Sequence, residues 1–189
     1  MQNRFLVDER WFYKVCMGRH RTIPDDEIYA AVRRLLAEGG EKAVSFATVA
    51  RVTGLAAPTL VQRYGSRDGM VQTALLAAWD ELETRTAEAD ATSSLSAKGA
   101  VQFLKLLAGD DPASVDLSLL ASDLRDPTLR KRASAWRETV EAALAVRLGG
   151  GAKGHEIAAI LFAAWQGQTL WQTAGGRGFK LKEALKRLD

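Results

Sequence analysis

Residues 45–67 read SFATVARVTGLAAPTLVQRYGSR, placing Arg51, Arg63 and Arg67 beside several hydroxyls and one carboxamide, with no acid among them. Such groups on one surface can bond phosphate oxygens and the edges of bases without repelling the phosphate charge. The carboxamide of Gln62 suits a bidentate contact to adenine, and the guanidinium of Arg63 suits guanine or a phosphate. Thr59 puts a short hydroxyl one turn earlier on the same face, while Ala57 and Pro58 offer apolar contact to a thymine methyl.

These residues need two short helices to hold them. Phe46, Val49 and Ala50 fit one helical face behind Ser45, whose hydroxyl can cap the helix by accepting a backbone N–H bond. Gly54 allows a tight turn, Pro58 suits the first turn of a following helix, and Leu55, Leu60 and Val61 resume the apolar pattern. The spacing predicts a helix-turn-helix. Upstream, Pro24 and the acids Asp25, Asp26 and Glu27 open a helix whose stripe is Ile28, Ala31, Val32, Leu35 and Leu36, ended by Gly39-Gly40. It should pack across the back of the pair, forming a small core from Leu35, Phe46, Val49, Leu60 and Tyr64. Downstream, Ser66 caps a helix with the stripe Val71, Ala74, Leu75, Ala78 and Leu82, running to about Arg85. Ala87 to Ala97 then reads as a loop or frayed end and as a candidate domain boundary.

The run from Asp25 to Met70 resembles the DNA-binding domain of the TetR family of transcriptional repressors. The resemblance rests on Ser45-Phe46, Val49-Ala50, Gly54-Leu55, Pro58-Thr59-Leu60, Tyr64 and Ser66-Arg67, in the family's spacing and without a gap. Two positions depart from the pattern: Val61 stands where an aromatic usually touches a phosphate, and Ala56 where a small polar residue usually opens the recognition helix. The resemblance implies that Ser45, Thr48 and Arg67 hold phosphates and that Tyr64 is a structural aromatic. It implies also that the fourth helix joins the reading head to a regulatory body, so that a shift at its far end tilts the recognition helix.

Beyond residue 98 the chain shows four apolar-patterned segments with clear punctuation, and no strand-like alternation competes, so the fold class is all-α. Gly99 to Ala108 suits a buried helix; Gly109-Asp110-Asp111-Pro112 ends it and starts another to about Leu124; Asp126-Pro127 caps the next, with Leu129, Ala133, Trp136, Val140 and Leu144 on one face. Gly149-Gly150-Gly151 precedes a last long helix from about Gly154 to Thr173, followed by a basic amphipathic tail, Phe179 to Leu188. That long helix is apolar almost all round, with Ile157, Ile160, Leu161, Phe162, Trp165, Leu170 and Trp171, and small Ala159, Ala163, Ala164 and Gly167 would admit a symmetry mate closely. A homodimer is expected, the competing reading being the central core of a monomer; the resemblance implies a four-helix interface from the last two long helices of each subunit. It further implies a pocket for a small-molecule effector, for which Phe103, Trp136, Phe162 and Trp165 are candidates, with ordinary core aromatics as the alternative. Few charges fall in these stripes, which favours a hydrophobic or amphipathic effector.

The chain divides into 1–22, an N-terminal extension or arm; 23–68, the N-terminal three-helix helix-turn-helix DNA-binding domain; and 69–189, a C-terminal helical ligand-binding and dimerisation domain. Residues 1–16 are read either as an upstream start-site extension or as a docking segment, and Arg19-His20-Arg21 as an arm on DNA or a solvated terminus. A net charge of +3 over 189 residues is too small for nonspecific coating of nucleic acid, so binding must come from local placement of arginine. Cys16, the only cysteine, reads as a reduced thiol; with no apolar run of bilayer length and charges interrupting the N-terminus, a cytoplasmic location without membrane partners is expected. His20 and His155 lack metal-ligand spacing, and no nucleophile-elbow, Walker or dinucleotide motif is present, so neither enzyme, metal nor cofactor is expected. The reading is a sequence-specific regulator of a palindromic double-stranded operator, a repressor released by a small hydrophobic effector. The alternative is a dimeric helical ligand-binding or protein-interaction module with weak or lost DNA binding, motivated by Val61 and Ala57.

Overall fold

The computed structural model describes residues 23–109, 124, 126–173, 175, 178 and 180–186; the expected arm, the expected helix from Pro112 to Leu124 and the ends of the basic tail lie outside them. Eight α-helices and no strand occur among the described residues. They are α1 (Asp25–Gly39), α2 (Phe46–Thr53), α3 (Ala57–Tyr64), α4 (Arg67–Thr92), α5 (Ala97–Ala108), α6 (Pro127–Arg147), α7 (Gly151–Thr173) and α8 (Leu181–Leu185), with a 3-10 turn at Glu41–Ala43.

Local chemistry sets the ends of the first four. Asp25, Asp26 and Glu27 occupy the first turn of α1 and complement its dipole, while Ile28, Ala31, Val32 and Leu36 bury its apolar stripe. A reciprocal capping box opens α2: Thr48 N donates to Ser45 Oγ at 3.1 Å and Ser45 N to Thr48 Oγ1 at 2.9 Å. Gly54 ends it in the left-handed region, φ 75°, with its N–H bonded to Ala50 O, a conformation that would strain a residue bearing Cβ. Pro58 lies in the first turn of α3, and Leu60 drives into the core with Val49 of α2.

The Ser66 hydroxyl caps α4, which runs 26 residues without interruption and packs on both α1 and α5. This corrects the expected end near Arg85: the stretch expected as loop is helical to Thr92, and only Ser93–Ser96 turns. Thr86 and Ala89 are buried on the extension, and Ala87, Ala89 and Ala91 are strong helix formers, so packing and propensity both carry the helix on. At the start of α5, a Cβ on Gly99 would sit 1.7 Å from Ser94 O, so the close α4–α5 turn requires glycine there.

Asp126 caps α6 through the N–H groups of Thr128 and Leu129, and the short connection at 148–150 sets α7 antiparallel against it, in the most extensive helix pairing of the fold. An aromatic series ties three helices together: Trp79 meets Trp136 at 5.8 Å between ring centroids, Trp136 meets Phe162 at 5.7 Å, and Phe162 meets Trp165 at 6.0 Å. These edge and tilted geometries suit the ring quadrupoles.

Candidate functional site

On α3 the side chains of Pro58, Thr59, Val61, Gln62 and Arg63 are exposed and Ala57 is half-buried, while Leu60 is fully buried. Thr59 and Gln62 thus share the outer face of a helix held from behind, an arrangement that can enter a major groove. Val61 is 44% exposed, an apolar side chain at the centre of that surface.

The other residues expected at DNA are tied into the domain. Ser45 and Thr48 are half-buried, and Thr48 Oγ1 also donates to Ala43 O at 2.8 Å, so both hydroxyls serve the helix start. Arg67 Nε donates to Val44 O at 3.1 Å, its Nη2 to Glu41 O at 2.6 Å and its Nη1 to Asp68 at 2.7 Å, stapling the 3-10 turn to the start of α4. Arg63 Nη1 donates to Asp25 Oδ1 at 3.1 Å and reaches Ile23 O at 3.3 Å. Tyr64 is half-buried, its ring 6.3 Å from that of Tyr29, and its hydroxyl donates to the same Asp25 oxygen at 2.9 Å. Burial, then the bond to Asp25, hold the Tyr64 hydroxyl well above its ordinary pKa, so it stays protonated. Arg51 on α2 is exposed and bonds no described residue; it is a candidate phosphate contact that residue type alone did not single out from the other arginines.

A cavity of about 840 Å³ lies between the C-terminal half of α4 and α6. Trp136 forms its apolar wall with Val146 and Leu95, and Glu83, Asp90 and Arg147 supply its charges. The indole Nε1 of Trp136 donates to Thr86 Oγ1 at 2.8 Å, and Thr86 Oγ1 donates to Leu82 O at 2.7 Å, which fixes the ring and satisfies the buried donor. Arg132 grips Glu83 from outside through bonds of 2.7 and 2.8 Å and also bonds Asp80. The bond to Glu83 is the first cause of a raised Arg132 pKa. Of the four aromatics expected around a ligand, only Trp136 lines this space. Phe162 and Trp165 are buried in the aromatic series, and Phe103 lies beneath the Arg147 guanidinium at 5.1 Å. Sequence periodicity puts Trp136 on an inward stripe and the other three on segments apolar nearly all round, which does not separate a cavity wall from packed core.

Along α7, Ile160 is 44%, Leu170 51% and Trp171 66% exposed, with Ala163 exposed between them and Val146 of α6 61% exposed. Among the described residues no helix is long and apolar enough to cross a membrane, and no group of three or more His, Cys, Asp or Glu could hold a metal ion.

No family model matches the chain, and no curated protein is similar to it. Solved structures are. A transcriptional regulator from Rhodococcus sp. Rha1 superposes with a TM-score of 0.69 at 22% identity, over 88% of this chain and 94% of that one. A TetR-family member from Streptomyces coelicolor A3 gives 0.64 at 25% identity over 87% and 98%. The multidrug-binding protein EbrR, complexed with malachite green, gives 0.64 at 25% identity over 87% and 96%. Both parts of the fold, the helix-turn-helix and the helical body behind it, are therefore those of the TetR-family transcriptional regulators, which the chain resembles over most of its length.

Proposed function

We propose that the protein is a homodimeric, ligand-responsive transcriptional repressor whose α3 reads a palindromic operator and whose body, residues 69–189, binds a small effector. The observation that carries this reading is the reach of α4. Its first residue, Arg67, is bonded to the backbone around α2, and its later residues Glu83, Thr86 and Asp90 wall the 840 Å³ cavity. A ligand shifts an equilibrium only through unequal affinity for two arrangements, and a helix shared by reading head and cavity gives the two arrangements a common part. The exposed apolar side chains of α6 and α7 supply the dimer surface, and a pair of recognition helices about 34 Å apart fits successive major grooves.

The cavity chemistry points to an amphipathic effector. The indole wall is apolar, and Arg132 and Arg147 pair with the carboxylates of Glu83 and Asp90 at its edge, which suits an aromatic effector of low net charge. Malachite green, which EbrR holds, is the first probe. The test is selection of bound sequences from random duplex DNA, then gel shifts of the selected site over a salt series with and without the dye. A palindromic consensus, a steep salt dependence and release by the dye are expected. The bonds of Arg63 and Arg67 within the domain favour a second reading, a ligand-binding module with weak DNA affinity; no salt-dependent shift on any selected sequence would establish it in place of the first.

A further inference from the structure

A second cavity, of about 620 Å³, lies between α5 and α8 and shares no lining residue with the first. Val101 of α5 and Leu185 of α8 form its floor, and Leu185 is only 4% exposed. Lys98, Lys105, Lys182 and Lys186 surround it, and among the described residues no acid lines it. Lys186 has a weak partner, Glu183 Oε1 at 3.4 Å; Lys98, Lys105 and Lys182 form no ion pair with any described residue.

Like charges around one concavity repel each other, and the low-dielectric wall between them focuses the positive potential into the space. An anion relieves that repulsion. The floor adds a second requirement, since an ion alone leaves the half-buried Val101 against water, whereas lysine stems lying along an apolar body keep their ammonium groups at the rim. The volume falls in the range of roughly 300–1,000 Å³ usual for small-molecule sites. We propose that this cavity binds an amphipathic anion, a single carboxylate or phosphate head group on an apolar chain. Head group and lysines meet at the rim, and the chain covers the floor. The site is independent of DNA reading and of the α4–α6 cavity.

The test is calorimetric titration of the full chain with dodecanoate and with dodecyl phosphate, both below micelle-forming concentration. Dodecyltrimethylammonium supplies the chain with the wrong charge, and acetate and inorganic phosphate supply the charge without the chain. Saturable binding of a dodecyl anion is expected, one per protomer, with the tighter of the two naming the head group; the cation and the chainless ions should not bind. The triple variant Lys98→Gln, Lys105→Gln, Lys182→Gln changes exposed side chains only and should weaken binding at least tenfold. Val101→Glu, which sets a carboxylate on the floor, is an independent disruption with the same expected loss. Ala143→Trp, which fills the other cavity, should leave binding unchanged. Absence of saturable binding, equal binding of the cation, full affinity in the lysine or Val101 variants, or loss in Ala143→Trp would each overturn the proposal.

Discussion

Arg63 Nη1 lies 3.1 Å from Asp25 Oδ1, so the last turn of α3 is clamped to the first turn of α1. Arg63 can bring Nη1 to a phosphate or base only by leaving that partner. The pair is partly exposed and worth roughly 0.2–1 kcal/mol, and removing Asp25 also takes the acceptor from the Tyr64 hydroxyl. Asp25→Ala is therefore expected to stay folded, to bind random duplex DNA more tightly, and to steepen the slope of log affinity against log salt by about one, the contribution of one phosphate contact. Salt titrations of both proteins on one random duplex check this; parallel slopes would mean that Arg63 makes no phosphate contact when freed.

Gln62 is exposed on the face that Thr59 shares, with no bond to a described residue. A bidentate amide–adenine contact discriminates against the wrong base by about 1–3 kcal/mol. Gln62→Ala should relax preference at one base pair in each half-site and leave the rest of the consensus intact. Comparing the sequences selected by the two proteins decides it, and an unchanged consensus would remove Gln62 from the reading set.

What was legible in the sequence was local. Ser45 with Thr48, Gly54 and Pro58 act within one turn of themselves, so caps and turn could be placed, and Leu60 and Val49 followed from helical spacing. The end of α4 was not legible because its cause is distant. Residues 87–92 alternate alanine with Glu88, Asp90 and Thr92, which fits a helix or a frayed end alike, and Arg147, far along the chain, bonds Asp90 O and Ser93 O and fixes the helix end from α6. The same residue sits over Phe103, which is fully buried and does not line the α4–α6 cavity. Arg63 and Arg67 are candidates for base and phosphate contact by residue type, and the sequence does not show what holds them because Asp25 and Val44 come from elsewhere in the fold.

Arg147 makes a further expectation concrete. Its side chain is 1% exposed; Nη1 bonds Asp90 Oδ1 at 2.7 Å and Ala143 O at 2.8 Å, while Nη2 bonds Asp90 O at 2.8 Å and Ser93 O at 3.1 Å. Removing it leaves buried acceptors without donors, at about 1–3 kcal/mol for each one that water cannot reach. Arg147→Met should lower the urea midpoint strongly, and Arg147→Lys should recover little, because one ammonium cannot span the same carbonyls as the fork. Full recovery by lysine would show that charge alone matters here.

Asp126 joins two parts of the body and responds to pH. It accepts backbone N–H bonds from Leu129 and Thr128 and a bond from Gln72 Nε2 at 3.0 Å, reaching from α6 to α4. The Leu129 bond is the first cause of a carboxyl pKa below the ordinary value. A depressed folded pKa means that the stabilisation is complete above the unfolded value, about 3.9, and disappears as pH falls through the folded one. Asp126→Ala should thus melt below the parent at pH 7, with the gap closing as both are titrated below about pH 4. A gap of constant size across that range would contradict a charged cap.

Helix α4 is continuous, and at 1.5 Å per residue it extends about 39 Å from the reading head into the body. Arg33 Nη1 of α1 bonds Glu81 Oε1 at 2.9 Å, so α1 rides on α4 well past its start, and the cavity wall begins almost at once, at Glu83. A shift of α4 at the cavity therefore acts on α1 within a turn of where it arises, before reaching Arg67. Ala78, 1% exposed, lies on the stretch of α4 between Glu81 and Arg67, and Pro there removes a helix bond and drives the ring into the preceding turn, costing about 3 kcal/mol or more. Ala77→Gly is the gentler partner, softening the same turn for about 1 kcal/mol while leaving the buried Ala78 methyl in place. If α4 carries the signal as a rigid rod, Ala77→Gly should bind operator as the parent does but need more malachite green for release, and any folded Ala78→Pro should bind the dye without releasing DNA. Circular dichroism establishes which variants fold, and gel shifts across a dye series give the release midpoint. Identical midpoints for parent and Ala77→Gly, together with full release of Ala78→Pro, would mean that the cavity speaks to α3 by a route other than α4.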